Sequence, residues 1–128
     1  MQLGLAASWH RYMVGNDPAV LDELIAQGAV FHSPVVHTPQ AGKAKVVMYL
    51  TAAGKVLGNP TFRYVRELVD GPEAMLEFMA EIDGITINGI DLIRFDLEGR
   101  IVDFKVMVRP LKAINMLWQH MAAQLPLP

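Results

Sequence analysis

The sequence predicts an α+β fold in which helices pack on one face of a curved, mainly antiparallel sheet. Three observations lead there. Apolar residues recur at helical spacing up to about residue 58, the period becomes two from Thr61, and it turns helical again after Pro110. The 128 residues suit one domain, taken as 1–128, with room for one real core.

The elements follow in order. Leu5, Trp9, Tyr12 and Met13 share one helical face, and Gly15 stops that helix. Asp17-Pro18 is an N-cap followed by a first helical position. Val20, Leu21, Leu24 and Ile25 give the second helix its stripe, with Gly28 as its expected end. Ala29 to Ser33 reads as a short strand, held extended by Pro34. A loop through His37 and Pro39 leads to a third helix whose inner face is Val46, Tyr49, Leu50 and Ala53, broken by Gly58-Asn59-Pro60. Strands are expected near 61–69, 74–82, 85–96 and 101–109. Asp83-Gly84 and Glu98-Gly99 supply turns. The last helix places Leu111, Ile114, Leu117, Trp118, Met121 and Leu125 on one side, and the tail through Pro128 is expected to fray.

Composition narrows the function classes. Apolar residues make up 52% and charged residues 19%, which excludes disorder and favours extensive burial. A net charge of −2 favours neither nucleic acid nor an acidic membrane. No cysteine is present, which removes disulfides, thiol catalysis and thiolate metal centres. No apolar run approaches the ~20 residues of a membrane span, and the first residues lack a signal peptide's basic cluster. The cytoplasm is the expected compartment.

A two-residue turn at Asp83-Gly84 pairs Phe78 with Gly89 and Leu76 with Asp91. The next turn pairs Asp91 with Val106, Gly89 with Val108, Ile93 with Phe104 and Phe95 with Val102. The inner face is then Leu76, Phe78, Ala80, Ile82, Ile85, Ile87, Ile93, Phe95, Val102, Phe104, Val106 and Val108, interrupted by Gly89 and Asp91. A carboxyl group there is desolvated, so its pKa rises and it serves as a hydrogen-bond donor or general acid. Gly89 is expected to let a ligand approach the sheet. The alternative is a structural bond from Asp91 to a hydroxyl such as Tyr12, Ser33 or Tyr49.

The 61–69 strand admits two registers. A four-residue turn at 70–73 places Val65, Glu67 and Val69 inward; a five-residue turn places Phe62, Tyr64, Arg66 and Leu68 inward. The outer face carries Met75, Met79, Ile90, Leu92 and Met107, too apolar for water, so a homodimer through Met79, Ile90, Leu92 and Met107 is expected. Arg94 opposite Asp103 suggests a cross-strand ion pair, and Arg109 an ion pair at the strand–helix junction. His10, His32 and His120 read as structural residues, and His37 sits on a loop able to overhang a pocket. The histidines are too scattered for a metal site. Ser33 lacks a nucleophile-elbow context, and no phosphate loop is present.

The order helix–helix–strand–helix–meander comes with Phe31-His32-Ser33-Pro34-Val35, Gly42-Lys43, Gly89-Ile90-Asp91-Leu92-Ile93-Arg94-Phe95-Asp96 and Glu98-Gly99-Arg100-Ile101-Val102. Together they resemble the nuclear transport factor 2-like superfamily, and within it the SnoaL-like group. The resemblance implies a cone-shaped fold, a deep apolar pocket and dimers through the sheet. It spans isomerases, cyclases, dehydratases, epoxide hydrolases and non-catalytic members, so it does not settle function. Against the ketosteroid isomerases, Asp91 falls on the protonated aspartate. Ser33 stands where the base aspartate belongs and Trp9 where the tyrosine belongs. The water-activating Asp-Arg-Asp set of the epoxide hydrolases has no match.

Two functions remain. One is an apolar-metabolite pocket in which Asp91 donates or accepts a hydrogen bond and Trp9, Met13, Ser33, His37, Leu50, Phe78, Gly89, Phe104, Val106 and Val108 meet the ligand. The other is a cofactor-independent isomerase, cyclase or dehydratase-type enzyme using Asp91 as general acid/base. Neither implies a cofactor or a metal.

Overall fold

The computed structural model describes residues 3–125, with side chains described from Ala6 onward, so the side chain of Leu5 and the tail beyond Leu125 lie outside it. Helices α1 (Leu3–Gly15) and α2 (Pro18–Leu24) lead into strands β1 (Ile25–His32) and β2 (Gln40–Ala41). Helix α3 (Lys43–Leu57) precedes the meander β3 (Arg63–Asp70), β4 (Glu73–Ile82), β5 (Ile85–Phe95) and β6 (Ile101–Arg109), and α4 (Leu111–Gln124) follows. The strands form one sheet of order β2-β1-β6-β5-β4-β3, antiparallel except for the β1–β6 pair. The helices cover its concave face, an α+β cone.

Local chemistry explains most boundaries. Asp17 caps α2, its Oδ1 accepting the Ala19 N–H at 2.9 Å. Asp83 and Gly84 take φ of 53° and 77°, the left-handed pair of a tight hairpin. The β4–β5–β6 pairing is as expected through the middle: Leu76 opposite Asp91, Asp91 opposite Val106, and Gly89 between Phe78 and Val108.

Five expectations are corrected. Helix α2 ends at Leu24, not at Gly28, because Ile25 is fully buried opposite Ile101 in the parallel β1–β6 pair. A seven-residue helix is marginal by itself, so burying a β-branched residue in the sheet prevails. At the β5–β6 turn the Asp96 carboxylate accepts the backbone N–H groups of Glu98 and Arg100, each at 2.9 Å. That tightened turn shifts the register, so Ile101 rather than Val102 lies opposite Phe95 and is fully buried. Arg94 does stand opposite Asp103, but it pairs with Glu73 at 3.4 Å, while Asp103 takes His32 Nε2 at 2.9 Å. Arg109 donates to the Asn88 side-chain oxygen at 2.9 Å rather than to a carboxylate. On α4 the buried residues are Ala113, Met116 and Leu117, whereas Leu111 is 71% exposed.

The β3 register is the most consequential departure. Asp70 pairs with Glu73 across Gly71-Pro72, so Val69 and Glu67 face inward, as the shorter turn requires. The ladder then slips between Tyr64 and Arg66, a bulge centred on Val65. Upstream of it Tyr64 lies opposite Phe78, and both Tyr64 and Phe62 pack against the core, as the longer turn requires. Val65 and Leu68 are left exposed. Each register therefore holds for half the strand.

Candidate functional site

A cavity of about 100 Å³ lies between the concave sheet face and helices α1, α3 and α4. On a scale where one water needs about 10–15 Å³, this is room for several waters or a small ring compound. Its walls are Trp9, Tyr12 and Met13 from α1, Tyr49, Leu50 and Ala53 from α3, and Leu117, Trp118 and Met121 from α4. The sheet contributes Phe31, Phe62, Tyr64, Phe78, Asp91, Phe104 and Val106, and the loop after β1 contributes Ser33 to Val36. Aromatic contacts stiffen the walls: Trp9 on Phe104 with ring centres 4.9 Å apart, Phe31 stacked on Tyr49 at 5.2 Å, and Phe62 stacked on Phe78 at 5.3 Å.

Asp91 is the one buried acidic residue among the described residues, only 7% exposed. Its Oδ2 accepts the Tyr64 hydroxyl at 2.6 Å, and the Tyr64 oxygen in turn accepts the Trp9 indole N–H at 2.9 Å. Asp91 Oδ1 has no hydrogen-bond partner among the described residues. Behind Tyr64, the edge of its ring system meets the His10 ring at 5.4 Å, and His10 Nε2 lies 2.5 Å from Glu67 Oε1. Burial pushes the Asp91 carboxyl up to about 7, against the Tyr64 hydrogen bond, which pulls it down. Burial, reinforced by the Asp91 charge, holds the Tyr64 hydroxyl far above the ordinary phenol range. Tyr64 is therefore a donor to Asp91 and not an acid. Burial likewise raises the Tyr12 hydroxyl.

The residues singled out from the sequence divide cleanly. Asp91, Trp9, Met13, Ser33, Leu50, Phe78, Phe104 and Val106 all reach the cavity wall. His37, Gly89 and Val108 do not. His37 is exposed on the loop, and Val108 packs against the core beside the cavity. Gly89 makes room for protein rather than ligand: a Cβ there would meet the Phe78 ring and come within 2.8 Å of the Met107 carbonyl oxygen. Ser33 is turned to the backbone, its Oγ accepting the N–H groups of Val35 at 3.0 Å and Val36 at 3.3 Å. Among the described residues no second carboxylate lines the cavity, and no three His, Asp or Glu side chains converge as a metal site would need.

Tyr64 is the site residue that sequence reasoning failed to pair with Asp91, for which it offered Tyr12, Ser33 or Tyr49. A signal was present. Phe62 and Tyr64 suit the core in one register and Val69 in the other, the pattern a bulge between them produces.

A SnoaL-like domain model matches residues 6–104. The crystal structure of a steroid delta-isomerase from Pseudomonas aeruginosa is similar, with 39% identity and a TM-score of 0.88 over 96% of this chain and 90% of that one. So is an uncharacterized bacterial protein with a cystatin-like fold from Silicibacter pomeroyi, at 28% identity and a TM-score of 0.85 over 94% and 84% of the two chains. An NTF2-like protein of unknown function from Mesorhizobium loti follows, at 25% identity and a TM-score of 0.72 over 85% and 91%. Among curated proteins no relative matches the chain. No helix among the described residues is long and apolar enough to cross a membrane.

The raised Asp91 pKa has a consequence for stability. Below the ordinary value of 3.8 the carboxyl is protonated in both folded and unfolded chains and contributes nothing pH-dependent. As pH rises from there to about 7, the unfolded chain ionises first and stability falls; above that the cost is constant. Asp91→Asn keeps the acceptor for Tyr64 but removes the titration. The stability of wild type relative to Asp91→Asn, measured by urea unfolding, should fall by roughly 2–4 kcal/mol between pH 4 and 8. Parallel pH profiles for the two proteins would contradict the burial of an ionisable Asp91.

Proposed function

We propose, for a chain that belongs to the SnoaL-like domain family, that the cavity binds a small apolar molecule carrying a carbonyl or hydroxyl group, held by Asp91. The observation that carries this reading is a lone buried carboxyl with one oxygen bonded by Tyr64, on the wall of an otherwise largely apolar cavity. Aromatic and aliphatic walls supply non-directional affinity, and one polar atom supplies orientation. Protonated, Asp91 donates to a ligand carbonyl; ionised, it accepts from a ligand hydroxyl. Similarity to a steroid delta-isomerase at 39% identity supports an apolar, cyclic ligand class.

A second reading, proton transfer by a cofactor-independent isomerase, cyclase or dehydratase-type enzyme, is favoured by one specific observation. Burial pushes the Asp91 carboxyl up to about 7, where a general acid/base is most effective near neutral pH. Because Ser33 Oγ is bonded to the backbone and no other carboxylate among the described residues reaches the cavity, Asp91 would both take and return the proton.

Two probes of equal size, 2-indanone and 2-indanol, test both readings by NMR titration. The ketone should bind below pH 7 and lose about tenfold in affinity as Asp91 ionises, while the alcohol should not lose affinity. Asp91→Ala should erase the difference. Failure of both probes to shift cavity resonances, or an unchanged pH response in Asp91→Ala, would defeat the binding reading. In deuterated water, exchange of the ketone's α-hydrogens by wild type but not by Asp91→Asn would establish proton transfer; equal rates would refute it.

We also propose a homodimer through the outer sheet face. Met79, Ile90 and Leu92 are partly exposed there, and Met107, directly opposite Ile90, is 55% exposed. Leu92→Glu would put an unpaired charge in that interface. Light scattering should give a dimer mass for wild type and a monomer mass for the variant; a wild-type monomer at micromolar concentration would refute it.

A further inference from the structure

We infer that Trp9 and Tyr64 are positioning residues which, by holding Oδ2 of Asp91, make Oδ1 the atom that carries the exchangeable proton and meets the ligand. What Oδ1 meets rests on the binding reading above; the assignment of the two oxygens does not.

The donors available fix the direction of both bonds. An indole N–H only donates, so the contact from Trp9 Nε1 to the Tyr64 oxygen at 2.9 Å has one possible direction. It occupies the acceptor side of the tyrosine hydroxyl. The single hydroxyl proton is then left to point at Asp91 Oδ2, 2.6 Å away. An Oδ2 that accepts the Tyr64 hydrogen bond is a poor place for the acid proton, which goes to Oδ1. Because Trp9 polarises the hydroxyl it bonds, it strengthens the donation from Tyr64 to Asp91.

The surroundings leave this chain in control of Asp91. Tyr12 from α1 and Tyr49 from α3 line the same cavity, and His10 from α1 and Glu67 from β3 stand against Tyr64 rather than Asp91. His10 and Glu67 pair with each other. The strand neighbours Leu76 and Val106, and Leu117, Trp118 and Met121 of α4, carry no charge. The geometry is made possible by the Val65 bulge, which turns Tyr64 inward on the same strand as Glu67.

The test is the titration midpoint of the Asp91 side-chain carboxyl carbon, followed by NMR on the free protein. Tyr64→Phe removes the bond and should raise the midpoint by about one to two units. Trp9→Phe should raise it by less. Replacing tyrosine with 3-fluorotyrosine, whose hydroxyl is a stronger donor, should lower it, and this arm needs no side chain removed from the core. A folded Tyr64→Phe protein whose midpoint is unchanged or lowered would overturn the inference. If that variant does not fold, a fluorotyrosine protein with an unmoved or raised midpoint does so instead. The titration involves no ligand, so the two proposals fail separately. A midpoint that responds to Tyr64 in a protein that ignores 2-indanone supports this inference and sinks the binding reading. A protein that binds 2-indanone through Asp91 with a midpoint indifferent to Tyr64 sinks this inference alone.

Discussion

The hydrogen bond from Tyr64 to Asp91 is the interaction on which the rest of the site depends. A carboxyl group in the middle of an apolar sheet face loses its water, and an unpartnered one would cost several kcal/mol. Tyr64 compensates one oxygen and leaves the other open to the cavity. To deliver that hydroxyl, β3 has to bulge at Val65, and Trp9 has to sit with its indole N–H against the tyrosine oxygen. The first helix, the third strand and the fifth strand thus meet at one chain of two hydrogen bonds. It also explains why Trp9, nearly fully buried at 3% exposure, keeps a satisfied N–H in the core.

The cavity beside this chain is shaped by a second constraint, at Gly89. The glycine lets the Phe78 ring lie close against β5, where any side chain would strike it. With Phe78 seated there and Phe62 stacked on it, this end of the cavity wall is aromatic and firm. Asp91, two residues along the same strand face, is therefore presented at a wall whose shape the neighbouring strand fixes. The polar group and the void are products of the same few β-sheet positions, and the apolar helices only close the other side.

Much of this was legible in the sequence. The period-two run from Thr61 and the Asp83-Gly84 turn place Asp91 between Leu76 and Val106 with no further information, because one register alone keeps the apolar residues together. The six apolar or aromatic wall residues and Ser33 followed from the same alternation and from the helical stripes. What was illegible depends on irregularity. A bulge inverts side-chain facing after a single residue, so no uniform register could place both Glu67 and Tyr64 inward. The Asp96 turn displaced Val102 by one position for the same reason. Ile25 illustrates a different limit: its spacing fits the α2 stripe, and only its burial against Ile101 across the parallel pair assigns it to a strand. Gly89 was placed correctly and explained wrongly, since a space in a strand face reads the same whether a ring or a ligand fills it.

The central claim is that Asp91 is a neutral, buried acid at moderately acidic pH, held by Tyr64 on one oxygen. Infrared difference spectroscopy of wild type against Asp91→Asn observes that protonation state directly. The account predicts a carbonyl-stretch band of a neutral carboxyl group present only in wild type, giving way to the carboxylate band around pH 7. A wild-type spectrum already showing carboxylate alone at this position near the ordinary value of 3.8 would contradict it.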